Sequence, residues 1–130
     1  MVSRQHPKYS SPATSPDDQR PSLRPTAAAA ELSAPAADRV LSGAPQFRTW
    51  SLEEAEGGLY AGIWEATPGK WRIVYDEWEY FSILSGYSIV TEDGGEAQHL
   101  RAGDRMVLRP GFSGSWEVVE TTRKDYVVRL

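Results

Sequence analysis

Three side chains near the middle of this 130-residue chain have the chemistry to hold or act on a small polar molecule: Arg72, Tyr75 and Glu79. A guanidinium presents a planar fork that clamps a carboxylate or phosphate through two parallel hydrogen bonds. The carboxylate of Glu79 can bind an amide or amine, or take a proton as a general base. Tyr75 and Tyr87 carry hydroxyls that would orient a polar ligand if they line a cavity. Further along, Lys124 and Tyr126 share a strand face with Val128 and Leu130. That face reads either as a half-exposed edge strand or as the rim of a pocket. Trp116 reads as core or as a platform for a ligand, and Trp64 and Trp71 read in the same two ways.

Several chemistries are excluded by what the chain lacks. It has no Cys, so there is no disulfide, thiolate zinc site or cysteine nucleophile. Its two histidines are His6, near the N-terminus, and His99, whose neighbour Leu100 is expected to take the inward position. No Ser-His-Asp arrangement, phosphate-cradling glycine loop or basic aromatic stripe is present. With 14 Lys and Arg against 18 Asp and Glu the net charge is −4, which disfavours nucleic acid or an anionic membrane surface as a partner. No apolar run approaches the roughly 20 residues that span a bilayer. The expectation is a soluble, cytoplasmic protein whose partner is a small molecule.

The elements that must position these groups lie in the C-terminal two thirds. Seven of the nine prolines fall within residues 1–45, together with only one aromatic, Tyr9. So little apolar surface cannot offset the entropy of ordering, and the composition predicts a disordered tail over 1–45. Prolines also interrupt every stretch that could serve as the apolar core of a secretory signal. Residues 46–130 carry the other thirteen aromatics and form the predicted domain. Period-two runs appear at 47–51, 59–67, 71–75, 80–85, 87–91, 97–100, 106–108, 115–120 and 125–130, with no helical period of useful length. Turns are predicted at Pro68-Gly69, Asp93-Gly94-Gly95, Ala102-Gly103-Asp104 and Pro110-Gly111. Asp104 reads as a turn residue that accepts from backbone amides. Gly86, between two apolar runs, reads as a bend or a positive φ. The fold class is all-β, a sandwich or small barrel.

The order of motifs from about Tyr60 to Tyr126 resembles a small cupin. Its parts are Gly62-Ile63-Trp64-Glu65-Ala66-Thr67-Pro68-Gly69-Lys70-Trp71-Arg72, then Glu79 with Gly86 seven positions later, then Ala102-Gly103-Asp104 through Pro110-Gly111-Phe112. The closing Gly114-Ser115-Trp116-Glu117-Val118, with Arg123-Lys124 and Tyr126, resembles the cupin domain of (S)-ureidoglycine aminohydrolase. One departure is Arg109 where the family usually has Pro, with Pro shifted to 110.

This resemblance implies a jelly-roll barrel around a pocket, commonly paired into a homodimer through edge strands. It also implies where a divalent metal would sit. The ligand positions fall at Arg72 and Val74, or at Ile73 and Tyr75 under a shorter spacing, then at Glu79 and Gly114. One donor of four is retained, so no His metal site is expected. An oxygen site for Mn²⁺ or another divalent ion, built from Glu79 with Asp76, Glu77 or Tyr75, is the alternative. If the alignment holds, Arg72 and Glu79 both look inward, as ligand clamps or as a structural ion pair closing one end of the barrel. The leading expectation is a metabolite-binding cupin taking a carboxylate, ureide or sugar-like molecule. The rival is a metal-dependent hydrolase or isomerase with Glu79 as its acid–base residue. A third is an interaction module with a filled barrel.

Overall fold

The computed structural model describes residues 29–130, and among them there is no α-helix. Nine strands form one curled sheet: β1 (Glu31–Ser33), β2 (Val40–Gly43), β3 (Phe47–Ala55), β4 (Leu59–Ala66), β5 (Gly69–Val74), β6 (Trp78–Glu92), β7 (Ala97–Arg101), β8 (Arg105–Leu108) and β9 (Ser113–Arg129). The expected all-β fold is observed.

The curl depends on the two longest strands. β6 and β9 pair antiparallel along their lengths, from Trp78 opposite Arg129 to Glu92 opposite Gly114. The C-terminal half of β9 also pairs with β4, and its N-terminal half with β5. On its other edge β6 pairs first with β8 and then with β7. Each long strand therefore runs from one wall of the barrel into the other. The sequence pattern divides each into two runs, because the bend interrupts the apolar alternation.

Gly86 makes the bend in β6, at φ 92°. A Cβ there would lie 2.1 Å from the carbonyl oxygen of Thr121, so only glycine lets β9 cross so closely. The pairing register shifts between Ile83 and Ser88. Such a bulge reverses which alternate residues face inward. Before it Glu79, Phe81 and Ile83 are buried; after it Ser88 and Val90 are.

The inward side chains fill the barrel. Trp64, Trp71, Trp116, Phe47 and Phe81 form one aromatic cluster with ring centroids 5.0–6.3 Å apart. Trp116 Nε1 donates to Ser88 Oγ at 3.1 Å, and Ser88 and Thr122 hydroxyls meet at 2.7 Å. Thr122 in turn donates to the Glu120 carbonyl at 2.8 Å. The buried hydroxyls are thereby satisfied in a chain, as burial of polar groups requires.

The folded unit begins earlier than composition predicts. Residues 29–45 were assigned to the tail, yet β1 pairs with β3 and β2 with β5, and Pro45 is buried. Edge pairing is made by backbone groups, which composition does not report. The remainder of the expected tail, 1–28, lies outside the described residues.

Candidate functional site

Alternation fixes which residues of β5 look inward. Trp71 and Ile73, with Tyr75 just beyond the strand end, are buried, so Arg72 and Val74 lie on the outer wall. The expectation that Arg72 faces the interior is therefore corrected. Its guanidinium, with 36% of the side chain exposed, holds Asp93 in a bidentate pair at 2.7 and 2.8 Å and reaches Ser113 Oγ at 3.0 Å. Ser113 Oγ donates to Asp93 Oδ2 and the Asp93 amide donates to the Ser113 carbonyl. Arg72 thus fastens the β6–β7 hairpin turn to β5 and β9 from outside. The pair holds the Asp93 carboxyl well down, from 3.8 to about 2, chiefly through the hydrogen bond from Arg72 and then that from Ser113.

Tyr87 is corrected in the same way. The bulge at Gly86 turns it onto the outer face, where its ring stacks on His99, its hydroxyl meets His99 Nδ1, and Arg101 lies 3.9 Å over the ring.

The cation inside the barrel is Lys124, which the sequence places on an edge strand or a pocket rim. It is 0% exposed, as is Glu79, and its Nζ lies 2.8 Å from Glu79 Oε2. Trp64, Phe81 and Trp116 surround the ammonium at 4.5–4.6 Å from their ring centroids. Aromatic faces are the only apolar surfaces that attract a cation, which explains how an ammonium is tolerated there. Burial pulls the Lys124 amine below the usual lysine range, opposed by the negative charges of Glu79 and then Glu77. The other Glu79 oxygen accepts from the Tyr75 hydroxyl at 2.6 Å. Tyr126 is buried on the same face as Lys124, its hydroxyl lying over Gly62, where a Cβ would sit 2.7 Å away. Of the seven predicted ligand residues, the structure brings Tyr75, Glu79, Trp116 and Lys124 together, with Tyr126 adjacent.

Those groups do not form a divalent site. Under the shorter spacing the cupin ligand positions are Ile73, Tyr75, Glu79 and Gly114, and Ile73 and Gly114 have no donor. Glu79 is already engaged by an ammonium and a phenol. At Gly114 any Cβ would come within 2.1 Å of the Thr91 carbonyl oxygen, so no larger ligand fits without moving β6. Among the described residues no three His, Cys, Asp or Glu side chains converge as metal donors.

Next to this network the barrel opens. A cavity of about 500 Å³ lies between the β6–β7 hairpin and the segment Arg109–Phe112 that leads from β8 into β9. Phe112, in its wall, sits edge-on to the Tyr75 ring at 6.4 Å, and Leu108 is the strand partner of Glu79. Two backbone hydrogen bonds clamp this loop to Tyr75, from its amide to Phe112 O at 2.8 Å and from the Gly111 amide to its carbonyl at 2.7 Å. The shift of proline to 110 is accommodated by Gly111 at φ 95°. Polar wall residues here were missed by the sequence reading. The inward set Ser88, Val90 continues to Glu92, and Gln98 lies opposite Val90 on β7. Polar side chains continuing an inward apolar stripe were the available signal.

Comparison with known proteins follows this geometry. Residues 53–126 match the model of the EutQ-like cupin domain. A structure of a protein of unknown function from Pseudomonas syringae pv. tomato is similar with a TM-score of 0.72 at 23% identity, covering 80% of this chain and 46% of that one. The EutQ protein of Clostridium difficile gives 0.59 at 17% identity, covering 65% and 63%. Ectoine synthase from P. lautus gives 0.59 at 16%, covering 64% and 63%. The chain thus spans about half the length of the first and less than two thirds of the other two. At these identities the likeness is one of fold. No curated protein matches the chain. The jelly-roll strands, the Glu79 position at the first motif and the match over more than half the sequence together establish that the chain belongs to the EutQ-like cupin domain family.

Proposed function

We propose that this cupin domain binds a small polar metabolite in the mouth of its barrel, without a His metal site. One observation carries the reading: a cavity of about 500 Å³ whose wall residues, Phe112 and Leu108, directly neighbour the buried Tyr75–Glu79–Lys124 network. Its size falls in the range of ligand sites, and its wall sets the polar side chains of Glu92, Glu96, Gln98 and Arg109 beside the apolar ones of Val90, Met106, Leu108 and Phe112. Carboxylates, ureides and sugars are the ligand classes to screen, ureides because of the resemblance to the (S)-ureidoglycine aminohydrolase domain. The test is a thermal-shift screen of those classes, repeated on Gln98→Trp, which fills the mouth. A hit that the variant abolishes supports the reading. Silence across the three classes, or a hit indifferent to the variant, counts against it.

A second reading is favoured by the hydrogen-bonded chain itself. A carboxylate fixed by a phenol and an ammonium is suited to acid–base work, so the bound molecule would be a substrate for hydrolysis or isomerisation, with Glu79 as the proton-transferring group. Glu79→Gln would then retain the ligand and lose turnover, whereas unchanged turnover would reject that role. Metal analysis of protein purified without chelator separates this from a Mn²⁺-dependent enzyme.

The homodimer belongs to the same proposal. β1 and β2 end the strand order, and each leaves one edge unpaired among the described residues. Leu32 on β1 and Leu41 on β2 are 75% and 53% exposed, and an uncovered edge with apolar side chains gains from a second copy.

A further inference from the structure

Charged residues lie on both walls of the mouth. Glu92 and Glu96 belong to the β6–β7 hairpin, and Arg109 to the loop after β8. Between them Val90, Met106, Leu108 and Phe112 supply apolar surface. Elsewhere on the wall the guanidinium of Arg72 is committed to Asp93, that of Arg123 to Glu65, and that of Arg101 to the Tyr87 ring. The side chains of Glu92, Glu96 and Arg109, by contrast, enter no ion pair or hydrogen bond with another described residue. The Arg72–Asp93–Ser113 latch holds the carboxylate-bearing hairpin in place from behind. The loop carrying Arg109 is fixed by its two backbone bonds to Tyr75. Charges on two anchored walls, with an apolar strip between them, are preorganised for a ligand that carries the opposite charges at its two ends.

We infer that the mouth selects a small zwitterion, with an ammonium directed at Glu92 and Glu96, a carboxylate directed at Arg109, and an aliphatic body on Val90, Met106 and Phe112. This rests on the reading that the mouth holds a metabolite, and it narrows the ligand class. A carboxylate alone would meet two like charges for one opposite charge. An amine alone would leave the guanidinium unused, and a polyol would leave the apolar strip and all three charges without complement. The zwitterion matches each group.

Four probes of similar size separate the cases by calorimetric titration at millimolar concentration: γ-aminobutyrate, butyrate, butylamine and the neutral polyol erythritol. The zwitterion is expected to bind about 10-fold more tightly than either singly charged probe, the worth of one charge-assisted hydrogen bond. Arg109→Ala should erase its advantage over butylamine. The double variant Glu92→Gln with Glu96→Gln should erase its advantage over butyrate. These surface substitutions leave the core untouched, so a folded protein is expected in each case. Equal binding of γ-aminobutyrate and butyrate, or a preference that survives both variants, overturns the inference. Binding of butyrate or erythritol at least as tight as that of γ-aminobutyrate, and abolished by Gln98→Trp, overturns the zwitterion and leaves the metabolite site standing. No binding of any probe overturns the inference, and a silent three-class screen beside it removes the site as well.

Discussion

Lys124 is fully buried with its amine 2.8 Å from the Glu79 carboxylate. Removing one member of a buried pair leaves the other uncompensated, which costs about 3–5 kcal/mol, whereas replacing both by neutral groups is often close to harmless. Lys124→Met is therefore expected to lose that much stability in urea unfolding. The double variant with Glu79→Gln should regain at least half of it, and a double variant worse than the sum of the singles would contradict the pairing. Arg72 acts at the surface, and its effect is read through pH. The Asp93 carboxyl in the fold titrates near 2 rather than 3.8, so the latch contributes stability above that ordinary value and loses it as pH falls from 3.8 toward 2. Arg72→Ala should flatten that part of the acid-unfolding profile, and an unchanged profile would refute the latch. At this scale the sequence made Glu79 and Tyr75 readable as chemistry. It could not show that Lys124 rather than Arg72 supplies the interior cation, because facing depends on a register that residue type does not encode.

Between residue and molecule stand the two bent strands. Gly86 allows β6 to turn from one wall into the other beneath Thr121 and Thr122, and the bulge around it reverses the inward parity. Gly86→Ala combines a strained positive φ with a backbone clash at 2.1 Å, so a loss on the order of 2–4 kcal/mol, or failure to fold, is expected. A Tm within a degree of wild type would show that the crossing relaxes freely. The same bulge explains what pattern reading gained and lost. On either side of the bulge the alternation holds, with Phe81, Ile83, Trp116 and Val118 all buried. Continued across Gly86 it would also place Tyr87 inside, and the extra residue turns that side chain out beside His99. β1 and β2 were illegible for a different reason, since short edge strands are held by backbone pairing and carry few apolar residues.

At the largest scale the described residues form a barrel closed at its centre by aromatics and open at one end, with the edges at β1 and β2 unpaired among them. Light scattering at high concentration is expected to give the mass of a dimer. Leu32→Lys with Leu41→Lys should shift it toward monomer, and a monomeric wild type would rule the dimer out. Legibility follows size here as well: the cupin order of motifs runs along most of the folded chain and could be read, whereas the mouth depends on two separated segments, 90–98 and 106–112, meeting. The most direct test is amide chemical-shift mapping by NMR with the strongest ligand from the metabolite screen. The mouth account predicts perturbations concentrated at Val90, Gln98, Met106 and Gly111–Phe112, extending to Tyr75. Shifts confined to the outer face around Tyr87, His99 and Arg101, with the mouth residues silent, would contradict it.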